Sequence, residues 1–209
     1  MPTFVKICGL TSRADVEAVA ALRPDAVGFV FWPRSKRCVA PQEVADWAKA
    51  VPAPILKVGV FVDESPDDIR RIVETAGLDV VQFHRFQGLD KSADIFPILG
   101  KTVWQVVRLG RGEAEPAGPA GVDAFLLDSY SAESPGGTGQ AVDWSAARAF
   151  VERSPKPVLL AGGLTPENVA DAIRQVRPWG VDVSTGVEQR PGRKDLRLVE
   201  EFIERCRST

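Results

Sequence analysis

The sequence has little of what marks membrane, secreted or nucleic-acid-binding proteins. No apolar run approaches the roughly 18 residues that a membrane-spanning helix needs, and no basic leader precedes an apolar core. The three cysteines, Cys8, Cys38 and Cys206, are odd in number and widely spaced, which fits neither a disulfide framework nor a zinc site. The net charge is −2 without a basic block. We therefore expect a cytoplasmic protein that acts on a small molecule and has no nucleic-acid or membrane partner.

What the sequence does contain is a regular alternation of short apolar runs with helical stretches. Eight such runs are present, which is the pattern expected of parallel strands joined by crossover helices. Several carry near-continuous valine and leucine, as strands covered on both faces do. The chain is therefore predicted to form one α/β domain over residues 1–209, a (βα)8 TIM barrel, with a doubly wound open sheet as the alternative. The predicted strands are 5–9, 26–31, 56–62, 80–84, 102–109, 124–129, 158–163 and 180–186.

Helix boundaries are also marked in the sequence. Ser12, Ser65 and Thr165 stand at positions typical of helix N-caps, and the last two are each followed by proline. The fifth crossover is an exception, because residues 110–121 contain four glycines and two prolines. We expect a loop there in place of a helix.

Side-chain alternation along the strands predicts a polar barrel interior. Burying unpaired polar groups costs on the order of 1–3 kcal/mol each, so such a set should surround a ligand. Several of these side chains fall at the C-terminal ends of their strands, where barrel enzymes carry their active sites. The side chains predicted to point inward are Lys6, Cys8, Lys57, Gln82, His84, Leu126, Asp128, Asp182 and Ser184, with Val58, Val60 and Val62 facing the helices.

Six segments, in this order and at these spacings, resemble one enzyme family over nearly the whole chain. They are KICGLT (6–11), GFVFWPRSKR (28–37), LLDS (126–129), GGTG (136–139), AGGL (161–164) and VDVSTGVE (181–188). The family that they resemble is phosphoribosylanthranilate isomerase. The resemblance implies an isomerase of tryptophan biosynthesis, which converts N-(5′-phosphoribosyl)anthranilate to 1-(2-carboxyphenylamino)-1-deoxyribulose 5-phosphate by an Amadori rearrangement. Because that rearrangement needs only proton transfers, no metal or cofactor is expected.

The resemblance also implies roles for individual residues. Asp128 becomes the general acid that protonates the furanose ring oxygen, and Cys8 the general base that takes the C2′ proton. Arg37 becomes the receptor of the anthranilate carboxylate, through its planar guanidinium group. Loops after the seventh and eighth strands usually supply the phosphate site in such barrels, and the residues at that position are Gly162, Gly163, Ser184, Thr185 and Gly186. The candidate substrate contacts are His84, Asp182 and Gly137, and residues 136–139 form a candidate closing lid.

Both catalytic roles require shifted pKa values, since a free carboxyl of pKa about 3.9 is mostly ionised at neutral pH and a free thiol of pKa about 8.5 is mostly protonated. We expect burial to raise the pKa of Asp128, and a cation such as Lys6 or a helix dipole to favour the Cys8 thiolate. The alternatives are a small core hydrophobe for Cys8, a helix cap or ion pair for Asp128 and an exposed charge for Arg37.

Two positions depart from the family pattern. Arg85 replaces the glycine that usually follows the histidine of the fourth strand, and Thr185 stands where serine is usual. Two other functions remain as alternatives: the aminoimidazole carboxamide ribotide isomerase of histidine biosynthesis, and a non-catalytic barrel that binds sugar phosphates. The ribotide isomerase family resembles a design with two catalytic aspartates. The presence of Cys8 in this sequence argues against it. No oligomeric state is predicted.

Overall fold

Eight parallel strands close into a barrel in a computed structural model, which describes residues 2–84, 100–109, 121–129 and 143–209. Each strand pairs with the next along the chain, and the last pairs with the first. The predicted TIM barrel is thereby confirmed and the open sheet is excluded. The strands are β1 (Phe4–Cys8), β2 (Ala26–Val30), β3 (Leu56–Phe61), β4 (Val80–Phe83), β5 (Thr102–Leu109), β6 (Ala124–Ser129), β7 (Val158–Leu160) and β8 (Gly180–Val183). The predicted loop at 110–120, Arg85 and the 136–139 segment with Gly137 lie outside the described residues.

Helices begin where the capping residues predicted them. The Ser12 and Ser65 hydroxyls accept from the backbone N–H groups of Asp15 and Asp68, and the Asn168 side chain accepts from Thr165 N at 2.9 Å. No helix in the described ranges is long and apolar enough to cross a membrane. The helices are α1 (Arg13–Ala21), α2 (Pro41–Trp47), α3 (Pro66–Ala76), α4 (Trp144–Arg153), α5 (Pro166–Val176) and α6 (Leu196–Arg207), with 3₁₀ turns at Ala48–Ala50 and Thr185–Val187.

Six of the eight strands, β1 to β4, β7 and β8, end earlier than the sequence pattern predicts. For β1, β7 and β8 the backbone gives the reason. Gly9 follows β1 with φ +79°, and Gly162 and Gly163 follow β7 with φ of 79° and 69°. These left-handed conformations suit glycine and cannot continue a strand. After β8, Ser184 leaves the extended region and a 3₁₀ turn begins at Thr185. The loops that carry the predicted site residues therefore start closer to the barrel than expected.

The prediction of which β3 side chains point into the barrel was wrong. Val58 packs inside the barrel, and Val60 and Val62 line a cavity at its mouth. Lys57 lies on the outer side, where its Nζ pairs with Asp79 Oδ2 at 3.0 Å. Because both faces of a parallel strand are apolar, the pattern could not show which face is inner. The Lys57 side chain lies near the start of the strand, so its charge can reach the surface.

The barrel interior is apolar at its lower layers and polar toward the C-terminal ends of the strands. Val58, Val80, Trp104, Leu126 and Leu159 form the apolar packing inside. A second apolar layer separates the outer face of the barrel from the helices. Above the interior packing lie the buried polar side chains that the alternation predicted to point inward, namely Lys6, Cys8, Gln82, Asp128 and Asp182.

Candidate active site

A cavity of about 580 Å³ opens at the C-terminal ends of the barrel strands. Cys8 at the end of β1 and Asp128 near the end of β6 both line it, and both are buried, with 7 % and 6 % of their surface exposed. The two groups predicted as base and acid thus share one cavity. The other predicted site residues on its wall are Arg37, His84, Gly162, Gly163, Asp182, Ser184, Thr185 and Gly186.

A buried ion pair forms the floor beside Cys8. Lys6 Nζ lies 2.8 Å from Asp182 Oδ1, and the Lys6 side chain is completely buried. Burial lowers the pKa of Lys6, but the interactions with Asp182 and Cys8 together outweigh burial and the net pKa is raised, so Lys6 remains charged. Gly28 gives the group its space, because a Cβ there would lie 2.7 Å from Cys8 Sγ and 3.1 Å from Lys6 Cε. Asp182, predicted as a substrate contact, therefore also holds the cation beside the thiol.

We expect Asp182→Asn to lower the free energy of unfolding by about 3–5 kcal/mol, because it leaves the buried Lys6 charge without its counter-ion. Urea unfolding measures this change. The exchange Asp46→Asn, at an exposed ion pair, serves as the matched control and should change stability very little. The double variant Lys6→Met/Asp182→Leu should recover most of the loss, because neither charge of this pair is left buried without its partner. An Asp182→Asn protein as stable as the parent would contradict the buried pair.

Burial keeps Cys8 protonated in the ligand-free protein. It raises the pKa of the thiol above that of a free cysteine; Lys6 acts in the opposite direction, and Asp182 adds to the increase. The cation expected beside Cys8 is therefore present, but the expected net preference for the thiolate is wrong, since loss of hydration has the larger effect. Lys194 also lowers the pKa of Cys8, by a smaller amount.

Neutral and cationic groups stand together at the mouth of the barrel between β4 and β6. Burial lowers the pKa of His84 to about 3, and the charges of Lys6 and Arg108 contribute, so the imidazole is neutral. His84 Nδ1 and the Nε and Nη2 atoms of Arg108 are buried without a hydrogen-bond partner in the part of the chain that the structure describes. Arg108 is aligned with Asp128 in the β5–β6 register. Sequence reasoning missed Arg108, although alternation along β5 gives it the same facing as Trp104.

Arg37 is not an ordinary surface charge. Its side chain is 14 % exposed, and it makes two bonds to Glu188, from Nε to Oε1 at 2.8 Å and from Nη2 to Oε2 at 2.6 Å. Its neighbour Arg34 is 73 % exposed and lies over the Trp32 ring, and Lys36 is exposed as well. One guanidinium of this basic loop is therefore held at the cavity wall. Sequence reasoning found Arg37 but not the carboxylate that holds it.

The loops after β7 and β8 meet at the side of the cavity. A Cβ at Gly186 would overlap the carbonyl oxygen of Leu164, so only glycine allows this approach. Asn168 fixes the first loop, because its amide donates to Gly163 O at 2.9 Å while its oxygen accepts from Thr165 N. The five residues predicted to bind phosphate are thus brought together on one wall.

Comparison with known proteins agrees with this geometry. The family model described as "N-(5'phosphoribosyl)anthranilate (PRA) isomerase" matches residues 5–205. The chain belongs to this isomerase family. An N-(5'-phosphoribosyl)anthranilate isomerase of Chromohalobacter salexigens is 42 % identical over 99 % of this chain and 95 % of its own length. One from Caldanaerobacter subterraneus subsp. tengcongensis is 43 % identical over 97 % of both chains.

Solved structures of phosphoribosylanthranilate isomerases have the same fold. The enzyme from Thermus thermophilus superposes with a TM-score of 0.84 at 32 % identity and covers 98 % of both chains. A second structure, with a TM-score of 0.79 and 30 % identity over 99 % of this chain and 100 % of its own, holds reduced 1-(o-carboxyphenylamino)-1-deoxyribulose 5-phosphate. The resemblance stated from the sequence is confirmed.

Proposed function

We propose that this phosphoribosylanthranilate isomerase catalyses its Amadori rearrangement with Asp128 as the general acid and Cys8 as the general base. The observation that carries the proposal is that both groups, buried at the ends of β6 and β1, line the same cavity. The related structure that holds the reduced product compound supports the same class of ligand for this cavity. The chain is therefore assigned an aldose–ketose isomerisation of a phosphoribosyl aminobenzoate.

The reaction needs two proton transfers at different atoms of the sugar. Asp128 donates its proton to the furanose ring oxygen, the C1′–O bond breaks and a protonated Schiff base forms. The Cys8 thiol releases its own proton to solvent through the open mouth of the cavity, and the thiolate then takes the C2′ proton. The C2′–H electron pair forms the C1′–C2′ double bond of an enolamine, which tautomerises to the ketone as its hydroxyl proton leaves and C1′ gains a proton. The positive charge of the Schiff base adds to that of Lys6 and lowers the pKa of Cys8 at the step that uses the thiolate.

The two anionic groups of the substrate have separate receptors on the cavity wall. We assign the phosphate to the paired loops of Gly162, Gly163 and Ser184–Gly186, where glycine lets the backbone approach an anion closely. We assign the anthranilate carboxylate to Arg37, whose planar fork suits a carboxylate. Neutral His84, with Nδ1 unbonded within the described residues, is a further candidate contact.

Purified protein tests the function directly through the loss of phosphoribosylanthranilate fluorescence on turnover. Correctly folded protein that shows no turnover would refute the assignment. In that case, turnover of the bisphosphorylated histidine-pathway substrate would favour the related ribotide isomerase, and binding of a sugar phosphate without turnover would favour a non-catalytic barrel. The presence of Cys8 argues against the ribotide isomerase, and the presence of both Cys8 and Asp128 argues against a non-catalytic barrel.

We expect alkylation of Cys8 by iodoacetamide to accelerate with pH throughout the range 7 to 9, because burial raises the pKa of the thiol and the thiolate is the reactive form. Peptide mass spectrometry after timed quenching measures each cysteine separately. Lys6→Met should move the midpoint to still higher pH, because removing a nearby cation disfavours the thiolate. Exposed Cys38 serves as the internal reference. A Cys8 midpoint below neutral pH would show a preformed thiolate and contradict this prediction.

The remaining expectations stay predictions from the sequence. They are the cytoplasmic location, the absence of nucleic-acid and membrane partners, the lack of a cofactor, and the single-domain extent of residues 1–209. The lid role of residues 136–139 and a substrate contact of Gly137 fall outside the described residues.

A further inference from the structure

A hairpin after the barrel places two buried charges behind Arg37. Strands β9 (Glu188–Arg190) and β10 (Arg193–Lys194) pair antiparallel, with Lys194 opposite Glu188. Lys194 Nζ donates to Glu188 Oε1 at 3.0 Å, and the two side chains are 0 % and 2 % exposed. A buried ion pair beside a binding site is costly to maintain, so its position calls for an explanation. None of the chemistry assigned above uses either residue.

Glu188 occupies one edge of the Arg37 guanidinium and leaves the opposite edge open. Arg37 Nε and Nη2 both donate to this carboxylate, and Nη2 also lies 3.4 Å from Thr185 Oγ1. Nη1 contacts no acceptor among the residues that the structure describes. Since a guanidinium has five N–H donors in one plane and three of them are used by Glu188 and Thr185, the two N–H groups of Nη1 remain for an incoming carboxylate. Arg37 lines the cavity into which that edge can reach.

The path of the Arg37 side chain is fixed as well. Arg37 passes over Gly9, where a Cβ would lie 2.6 Å from Arg37 Cδ, so the side chain crosses the end of β1 in close contact. Glu188 holds the far end, and its carboxylate is satisfied by Arg37, by Lys194 and by the Gly192 amide at 3.4 Å. Burial raises the pKa of Glu188, but Arg37 and Lys194 outweigh burial and the net pKa is lowered, so Glu188 stays ionised.

Lys194 connects this arrangement to the proposed phosphate loops. Its Nζ also donates to the backbone carbonyl of Ser184 at 3.0 Å, at the start of the loop after β8. Burial lowers the pKa of Lys194, and the Glu188 carboxylate opposes this shift. With Lys194 protonated, the cluster of Arg37, Glu188 and Lys194 contains two cations and one anion, which leaves one positive charge for an incoming anion to balance. Without Lys194, the pair of Arg37 and Glu188 would be neutral and would attract a carboxylate less.

We propose that Glu188 and Lys194 are positioning residues, which fix Arg37 with its open edge toward the cavity and keep the receptor positively charged, so that the protein selects substrates that carry a carboxylate on the aromatic ring. This inference rests on the proposed function and names how the carboxylate is selected. Glu188 fixes the direction of the fork, and Lys194 supplies the excess charge.

The test compares two substrates, phosphoribosylanthranilate and phosphoribosylaniline, which lacks the carboxylate. We expect Glu188→Gln to reduce the ratio of their kcat/KM values by about tenfold or more, through a higher KM for the carboxylate-bearing substrate, since a charge-assisted contact is lost. The values for phosphoribosylaniline should change little. Arg37→Ala should reduce the ratio at least as much. A merely structural role for Glu188 would affect both substrates equally and leave the ratio unchanged.

The matched control is Asp25→Asn, the same acid-to-amide exchange in an ion pair at the opposite end of the barrel. Asp25 precedes β2 and accepts from Arg207 Nη2 at 2.8 Å. This variant should lose stability without a change in the substrate ratio. An equal change of the ratio in Asp25→Asn and Glu188→Gln would overturn the inference.

The double variant Glu188→Gln/Lys194→Met separates orientation from charge. It removes both buried charges, which favours folding, and leaves Arg37 as the single positive charge of the cluster. We expect the substrate ratio to stay low, because Arg37 is no longer held; a ratio equal to that of the parent protein would overturn the proposal. If the parent protein discriminates between the two substrates, and Arg37→Ala lowers the ratio while Glu188→Gln does not, this inference alone is refuted. Parent protein that turns over neither substrate would refute the proposed function and this inference with it.

Discussion

Replacing Cys8 with alanine is expected to lower kcat by about 10²- to 10⁴-fold, because it removes the proposed base for the C2′ proton while leaving the cavity and the proposed anion receptors in place. Loss of substrate fluorescence measures the rate. Cys8→Ser keeps the volume but offers a hydroxyl, which is a much weaker acid than a thiol and so rarely forms the anion, and we expect it to be nearly as inactive.

Cys38→Ala is the control for this loss. Cys38 is an exposed free thiol and is absent from the cavity wall, so its removal should leave kcat and KM unchanged. Circular dichroism on the Cys8 variants checks that the barrel has formed. Undiminished turnover by folded Cys8→Ala would remove the thiol from the mechanism and leave the base to another group.

Asp128→Asn is expected to lose turnover by a similar factor of about 10²–10⁴ and to keep its affinity for inorganic phosphate. The amide has nearly the shape of the carboxyl group but cannot donate an acidic proton to the ring oxygen. The loops proposed to bind phosphate follow β7 and β8, whereas Asp128 lies on β6. Titration calorimetry with phosphate, beside the fluorescence assay, measures the two properties separately.

The matched control for Asp128 lies on the same side of the barrel, at the start of β6. Asp123 accepts from Val103 N at 2.7 Å before β6 begins, far from the cavity, and Asp123→Asn should retain turnover. If Asp128→Asn lost phosphate affinity together with turnover, acid catalysis and anion binding could not be assigned to separate residues as proposed here.

Local patterns in the sequence were sufficient for the architecture. Hydrophobic runs, alternation and capping residues act over a few positions, so they predicted the eight strands, the starts of α1, α3 and α5 and the inward facing of Cys8 and Asp128. The exceptions have local reasons too. β3 is apolar on both faces, so its facing was wrong at Lys57, and left-handed glycines shortened β7.

These local patterns could not predict which residues pair with the site residues. Lys6 and Asp182 pair across 176 positions, and Arg37 and Glu188 across 151. Neither Lys194 nor Arg108 lies in any of the six segments that carry the family resemblance. The net protonation of Cys8 was also missed, because it depends on how completely the site is buried and on how many charges surround it.

The sequence by itself determined which elements form and which chemical groups end at the mouth of the barrel, since these depend on neighbouring residues and on the order of the strands. Only the tertiary structure decided which charges face each other. Barrel closure pairs β1 with β8, and the hairpin after β8 returns Glu188 and Lys194 to Arg37. The strength of an ion pair and the pKa of a thiol depend on distances and burial in three dimensions, which the linear order of residues does not specify.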